Sequence, residues 1–223
     1  MTDIKKNLIS VKSMLPEGVT LIAVSKYHPK EDLMEAYEVG QRDFGENIVQ
    51  ELRLKQEQLP DDIRWHFIGH LQTNKVKYIA PYVSLIHSVD SVKLLSEINH
   101  QAAKNNRVID CLLQIHVAQE TTKFGFLPEE CYEMLTNTNI EEFKNVRICG
   151  VMCMASNTPD TQRIHQDFKS ANLFFEKLKK DFFSDKSYFN IKSYGMSGDY
   201  PIAIEEKSNM VRIGTLIFGP RKY

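Results

Sequence analysis

Lys26 is the residue of this sequence with the clearest potential for chemistry. It ends the run TLIAVSK (20–26), in which four apolar residues and a serine precede it. Its stem therefore begins in the core, and its amine reaches the end of a predicted strand. Removal from water lowers the pKa of a lysine and makes the amine a nucleophile toward aldehydes. The alternative is a lysine that extends from a strand end into solvent.

Two short segments near the carboxyl terminus have the composition of a phosphate site. Ser197 precedes a glycine, and Gly214 precedes Thr215. Glycine lets backbone N–H groups approach an oxyanion, and hydroxyl groups donate further hydrogen bonds. Arg212 lies two residues before Gly214, and strand alternation points both to the same side. A simple turn at Ser197 and a surface ion pair at Arg212 are the alternatives.

Two histidines, His66 and His70, flank the predicted strand RWHFIGH (64–70). Residues four apart on a strand face the same side at a separation of about 13 Å, which argues against a shared metal ion. Core or capping histidines are the alternative. The sequence contains no Walker, GxSxG, HExxH or GxGxxG motif, which argues against the common nucleotide, hydrolase and zinc-protease sites.

Eight β-rich runs alternate with helical patterns and must position these residues. Several runs are almost continuously apolar, as parallel strands covered on both faces require. Proline or serine signals predict helices that begin near Pro29, Ser91, Pro128 and Pro159. The eight runs are TLIAVSK (20–26), RDFGEN (42–47), RWHFIGH (64–70), SLIHSV (84–89), VIDCLLQIHV (108–117), VRICGVMCMA (146–155), YFNIKSYGM (188–196) and MVRIGTLIFG (210–219).

This alternation predicts an α/β fold, a single TIM-type (β/α)8 barrel over residues 1–223, because closure gives every strand two neighbours. An open doubly wound sheet is the alternative. Only four residues follow the run 210–219, so we expect no helix after strand eight. An N-terminal helix containing Leu8 and Val11 would cover the gap. Ligands of such barrels bind at the carboxyl ends of the strands. The candidate residues there are Lys26, Asn47, His66, Met154, Ser197, Arg212, Gly214 and Thr215.

The composition predicts an intracellular, cytoplasmic protein. The 28 basic and 29 acidic residues nearly cancel, so no net field attracts nucleic acid or a membrane surface. The N-terminus lacks the apolar run of a signal peptide, and no segment approaches the roughly 20 apolar residues of a membrane span. The cysteines form no CxxC pair and are expected to be buried free thiols. They are Cys111, Cys131, Cys149 and Cys153.

Six segments carry a family resemblance: AVSKYHP (23–29), DFGENIVQE (43–51), WHFIGHLQTNK (65–75), GVMCMA (150–155), YGMSGDY (194–200) and MVRIGTLIFG (210–219). In this order they resemble the pyridoxal phosphate homeostasis protein family, also called YggS/PROSC, which is similar to the N-terminal barrel of alanine racemases. The resemblance implies that Lys26 holds pyridoxal 5′-phosphate as a Schiff base. It implies phosphate contacts from Ser197, Gly214 and Thr215. Asn47 and His66 match residues that line the same pocket.

The resemblance also implies that Arg212 meets the pyridine nitrogen of the cofactor. A guanidinium only donates, so it disfavours a protonated pyridine and limits carbanion stabilisation. Racemases with such an arginine add an acid–base residue from a partner subunit that has an extra β-domain, and we expect no C-terminal β-domain here. We therefore expect a monomeric, non-catalytic cofactor carrier, with pyridoxal phosphate-dependent apoenzymes as candidate recipients. A weak amino-acid racemase or lyase and a pure interaction module are the alternatives.

Two segments depart from the family pattern. ETTKFGF (120–126) stands where many members have a Ser-Lys-Ser-Gly type of sequence, which leaves the surroundings of Lys123 open. EEKSNM (205–210) replaces the more usual Glu-Glu-Gly-Ser-Thr-Met. Lys207 therefore occupies a glycine position, and any role of that glycine is in doubt.

Overall fold

The computed structural model describes residues 3–118 and 124–220. Its eight strands form one closed, all-parallel barrel in sequence order, in which β8 pairs with β1. The predicted (β/α)8 barrel is confirmed, and the open sheet is wrong. The strands are β1 Thr20–Val24, β2 Asp43–Glu46, β3 Arg64–Phe67, β4 Leu85–Val89, β5 Ile109–His116, β6 Val146–Met154, β7 Ile191–Met196 and β8 Met210–Ile213.

Helices surround this barrel. They are α1 Asp3–Met14, α2 Lys30–Glu38, α3 Val49–Gln56, α4 Val76–Ile79, α5 Val92–Lys104, α6 Pro128–Asn137, α7 Thr161–Phe182, α8 Tyr200–Glu205 and α9 Thr215–Phe218. Short 3₁₀ turns occur at Thr73–Lys75 and Ile140–Glu142. Across the described part of the chain, no helix combines the length and the apolar character needed to cross a membrane.

The helix starts agree with the sequence signals to within two residues. Ser91 caps α5 as predicted, since its Oγ accepts a hydrogen bond from the backbone N–H of Leu94. Pro128 is the first residue of α6, also as predicted. The predicted start of α7 at Pro159 was two residues early, because Asp160 caps the helix and Thr161 is its first residue. A carboxylate that accepts two backbone N–H bonds is the stronger cap, so the helix begins after it.

The chain after strand eight differs from the prediction. β8 ends at Ile213, and the one-turn helix α9 follows it directly. The run 210–219 is apolar throughout, and periodicity does not separate a short buried strand from a short buried helix. The N-terminal helix does cover this region: α1 packs against α9, and Asn7 Nδ2 donates to the Ile217 carbonyl at 3.2 Å.

The core has two parts. The larger lies between the strands and the helices, where residues such as Phe44 and Phe168 are fully buried. The smaller fills the barrel interior with apolar side chains that include Ile22, Leu112 and Met152. Branched apolar residues usually fill such interiors. This barrel also buries polar side chains, among them His66, His87 and Ser193.

Two sequence features have a direct structural outcome. All four cysteines are buried and free, as predicted. Lys207 has a φ of +73°, in the left-handed region that favours glycine. The usual family glycine at this position therefore has a backbone reason, and Lys207 adopts the same conformation at a cost in strain. Lys123 lies outside the described residues.

Candidate functional site

One cavity at the carboxyl ends of the strands brings most of the candidate residues together. Its volume is about 230 Å³. Wider grooves of about 520 and 770 Å³ lie on the outer helices and contain none of the candidates. Seven of the eight candidate residues line the cavity: Lys26, Asn47, Met154, Ser197, Arg212, Gly214 and Thr215.

The eighth candidate, His66, is not among the residues that line the cavity. It lies inside β3 and is 4% exposed. Its ring nitrogens lie 3.0 Å from His87 and 3.1 Å from Asp43. Ile68, two residues later, lines the cavity instead. Two residues on a strand span about 6.6 Å, so His66 occupies a deeper layer of the barrel.

His70, the second histidine of this segment, lies outside the cavity lining as well. Its Nδ1 is 3.1 Å from a carboxylate oxygen of Asp90, and its ring stacks on Phe124 at 4.0 Å between centroids. The two histidines of the WHFIGHLQTNK segment therefore have different partners and do not form a joint site.

The turn after β7 and the end of β8 form one side of the cavity. The backbone N–H of Gly214 donates to Ser197 Oγ at 3.3 Å, which holds the two segments together. A Cβ atom on Gly214 would lie 2.9 Å from the Val24 carbonyl oxygen, so only glycine fits there without displacing β1. Position 198 faces open space. Together with Thr215, this side brings two hydroxyl side chains to the cavity, which suits an anion.

Arg212 forms the floor of the cavity and is 4% exposed. Its Nη1 donates to the carbonyl and to the Oγ of Ser193, and its Nη2 donates to the Cys153 carbonyl at 2.9 Å. Burial lowers the pKa of Arg212, and nearby acidic groups oppose that shift. The two carbonyl contacts fix the plane of the guanidinium, so it presents donors and no acceptor to the cavity.

Asn47 supplies an unused hydrogen-bond acceptor. It follows β2 directly and lines the cavity, and its Oδ1 is buried without a hydrogen-bond partner in the structure. A buried polar atom without a partner costs about 1 to 3 kcal/mol. A ligand that carries a hydroxyl or N–H group would satisfy it. Pyridoxal 5′-phosphate has such a hydroxyl group, and its phosphate matches the donors near Ser197.

Comparisons with known proteins identify the family of this chain. The alanine racemase N-terminal domain family matches residues 1–222. A curated relative from Aquifex aeolicus, a pyridoxal phosphate homeostasis protein, is 41% identical over 91% of this chain and 87% of its own length. The protein of the same description from Escherichia coli is 33% identical over 100% of this chain and 99% of its own. The chain belongs to the pyridoxal phosphate homeostasis protein family.

Solved structures similar to this homeostasis family member include a protein with bound PLP and an alanine racemase. PipY of Synechococcus elongatus with PLP bound is 34% identical, has a TM-score of 0.87, and covers 97% of this chain and 100% of its own. The alanine racemase of E. faecalis shares only the fold, at 19% identity and a TM-score of 0.74, and aligns over 58% of its own chain.

The turn that carries Lys26 has a constrained backbone. His28 N–H donates to the Ser25 carbonyl at 3.1 Å and closes the turn. Tyr27, inside the turn, has a φ of +66°, which is uncommon for a residue other than glycine. Its N–H donates to Glu51 Oε1 at 2.6 Å. The contact from Glu51 of α3 therefore helps to hold the backbone next to Lys26 in place.

Lys55, also from α3, lies beneath this turn and is buried. Its ammonium donates to the Ser25 carbonyl at 2.8 Å, to Glu46 Oε1 at 2.7 Å and to Glu51 Oε1 at 2.6 Å. Burial raises the pKa of Glu46 to about 7, although the Lys55 ammonium opposes that shift. The cation thus holds two carboxylates and the backbone next to Lys26 in one network.

Replacement of Lys55 by methionine is expected to destabilise the protein by about 3 to 5 kcal/mol, because the buried Glu46 and the partly buried Glu51 lose their counter-ion. Urea unfolding measures the loss. The double variant Lys55→Met/Glu46→Gln should recover part of it, since it removes the charge that Lys55 balances. A loss of less than about 1 kcal/mol in the free energy of unfolding of the single variant would show that the network contributes little to stability.

Six cavity residues were not among the candidates chosen from sequence: Val24, His28, Ile68, Met196, Gly198 and Gly219. His28 comes two residues after Lys26, and its ring packs against Phe218 of α9 at 5.0 Å. Its position in AVSKYHP was a usable signal. Ile68 and Met196 follow or end their strands, so the rule that located Met154 applies to them as well.

Proposed function

We propose that this chain binds pyridoxal 5′-phosphate covalently through Lys26 and serves the intracellular supply and buffering of that cofactor. The observation that carries the proposal is the single cavity lined by seven of the eight residues chosen from sequence. The unpartnered Asn47 oxygen at the cavity supports it. The family relatives described as pyridoxal phosphate homeostasis proteins, and PipY with PLP bound, support it further.

Each lining residue has a role in this proposal. Pyridoxal 5′-phosphate, when bound, supplies an aldehyde that condenses with a lysine amine and releases water. Lys26 Nζ provides the amine. Ser197, Thr215 and the backbone at Gly214 would bind the phosphate, and Arg212 would donate to the ring nitrogen and keep it unprotonated. Met154 would contribute an apolar surface beside the ring.

We further propose that the protein holds the cofactor and does not turn over amino acids. The ionisable cavity residues among those described are Lys26, His28 and Arg212. The first two share one turn, and the third only donates. The other walls of the cavity include Ile68, which follows β3, and Met154 and Met196, which end β6 and β7. These side chains exchange no protons, so the described residues place no general acid or base on the far side of the cavity.

A transfer experiment tests this function. Purified chain loaded with pyridoxal 5′-phosphate and freed of excess cofactor is mixed with a cofactor-free aminotransferase. We expect recipient activity to rise as the absorbance of the loaded chain falls. In deuterated water, the loaded chain alone should exchange amino-acid α-protons far more slowly than one per second, the lower end of ordinary enzymatic turnover.

Two outcomes would contradict the proposal. A chain that acquires no cofactor absorbance on incubation with pyridoxal 5′-phosphate is not a cofactor carrier and fits an interaction module. Proton exchange at one per second or faster would identify a racemase or lyase.

A further inference from the structure

A row of polar side chains crosses the interior of the barrel beneath the cavity. Arg212 Nη1 lies 2.8 Å from Ser193 Oγ, and that oxygen lies 3.0 Å from His87 Nδ1. His87 Nε2 lies 3.0 Å from His66 Nδ1, and His66 Nε2 lies 3.1 Å from Asp43 Oδ1. The four residues from Arg212 to His66 are at most 4% exposed. The row therefore runs from the cavity to Asp43, the first residue of β2, at the opposite end of the barrel.

The two ends of this row fix the direction of its hydrogen bonds. The Arg212 guanidinium has only donors, so Ser193 Oγ accepts from it. Burial favours a raised pKa for Asp43, but hydrogen bonds from His66 and Arg64 lower it to about 2. Asp43 is therefore a carboxylate at neutral pH and only accepts. The nitrogen of His66 that faces it must carry a proton.

If each imidazole carries one proton, a single arrangement satisfies every contact. With its proton on Nε2, His66 accepts at Nδ1 from His87 Nε2–H. His87 then accepts at Nδ1 from the Ser193 hydroxyl, whose oxygen accepts from Arg212. The reverse order would place an unprotonated His66 nitrogen against the Asp43 carboxylate, where neither group donates. Burial, with His66 and Arg212 nearby, lowers the pKa of His87 well below its usual value, which keeps that ring neutral.

We propose that Ser193, His87, His66 and Asp43 are positioning residues that form a one-way hydrogen-bond chain, which holds the Arg212 guanidinium in place beneath the cavity. They act on a ligand only through Arg212. The effect on a bound cofactor rests on the function proposed above, whereas the direction of the hydrogen bonds does not.

The hydrogen-bond chain restricts the orientation of the Arg212 guanidinium. The hydroxyl proton of Ser193 is committed to His87, so its oxygen stays available as an acceptor. Rotation of the guanidinium away from the cavity would break this contact and the contact to the Cys153 carbonyl. Hydrogen bonds in a low-dielectric interior also polarise and strengthen one another along a chain.

The tautomers of the two histidines test the direction without any cofactor. In the full-length chain labelled with ¹⁵N-histidine, two-bond proton–nitrogen NMR spectra distinguish protonated from unprotonated ring nitrogens. We expect His66 and His87 to carry their protons on Nε2 alone at neutral pH. A proton on Nδ1 of either ring, including a doubly protonated His66, would overturn the proposal.

A pair of variants tests whether Asp43 sets the direction. Asp110 pairs with Arg147 across β5 and β6 as Asp43 pairs with Arg64 across β2 and β3. Asp43→Ala should give mixed tautomers at both histidines, because the terminal acceptor is gone. Asp110→Ala removes the same kind of ion pair and should leave both tautomers unchanged. Identical spectra for the two variants would refute the role of Asp43.

Retention of the cofactor tests the positioning role. Ser193→Ala removes one acceptor of Arg212 and leaves the backbone carbonyl in place, so we expect release of pyridoxal 5′-phosphate to accelerate about tenfold. The absorption maximum of the bound cofactor should shift in the same variant. Unchanged release and an unchanged spectrum in a folded Ser193→Ala protein would reject the positioning role. If the unmodified protein binds no cofactor at Lys26, the proposed function fails. The NMR result still decides whether the hydrogen-bond chain has the proposed direction.

Discussion

The Lys26→Ala variant is expected to lose all of the cofactor that borohydride fixes to the protein, while its fold is retained. Lys26 is the only lysine among the described residues that line the cavity. Lys55, which lies nearby, is committed to Glu46, Glu51 and the Ser25 carbonyl. No other described lysine is therefore placed to supply an amine at the carboxyl end of β1.

Peptide mapping after incubation with pyridoxal 5′-phosphate and reduction measures this effect. Lys30→Ala is the matched control, because Lys30 begins α2 just after the same turn and its ammonium binds the exposed Gln58. The control should retain full labelling at Lys26. An adduct found solely at Lys75 or Lys123 in the unmodified chain would show that the attachment site is wrongly assigned.

The architecture was predictable from sequence because its signals are local. Eight apolar runs separated by helical patterns specify a parallel barrel, and the position of a residue at the end of a run then locates it at the mouth. Lys26, Asn47 and Met154 were found in this way, and the cavity contains all three. The same reasoning carried over to Ser197 and Thr215.

Depth along a strand was not predictable in the same way. Strand alternation predicts that His66 and Ile68 face the same side, and the depth of each residue along the barrel decides which of them reaches the cavity. The sequence run extended to position 70, whereas β3 ends at Phe67. The polar row from Asp43 to Arg212 was missed for a related reason. Its members are far apart in sequence, and strand register brings them together.

The double variant Ser197→Ala/Thr215→Val is expected to weaken binding of pyridoxal 5′-phosphate by roughly 10² to 10⁴-fold, since each charge-assisted hydrogen bond contributes about 1.5 to 3 kcal/mol. Binding of pyridoxal, which has no phosphate, should hardly change. Equilibrium titration with both ligands measures the two effects. Ser170→Ala/Thr136→Val is the matched control, because these exposed hydroxyls donate to carbonyls of their own helices.

A third variant separates loss of phosphate contacts from damage to the barrel. In Gly214→Ala the added Cβ would lie 2.9 Å from the Val24 carbonyl oxygen, so β8 and β1 must move apart. This change should weaken the binding of both pyridoxal 5′-phosphate and pyridoxal, since the floor of the cavity at Arg212 moves with β8. The hydroxyl variants leave that backbone in place and should discriminate between the ligands. If these variants weakened the binding of pyridoxal as strongly as the binding of pyridoxal 5′-phosphate, Ser197 and Thr215 would support the shape of the cavity and would not bind the phosphate group.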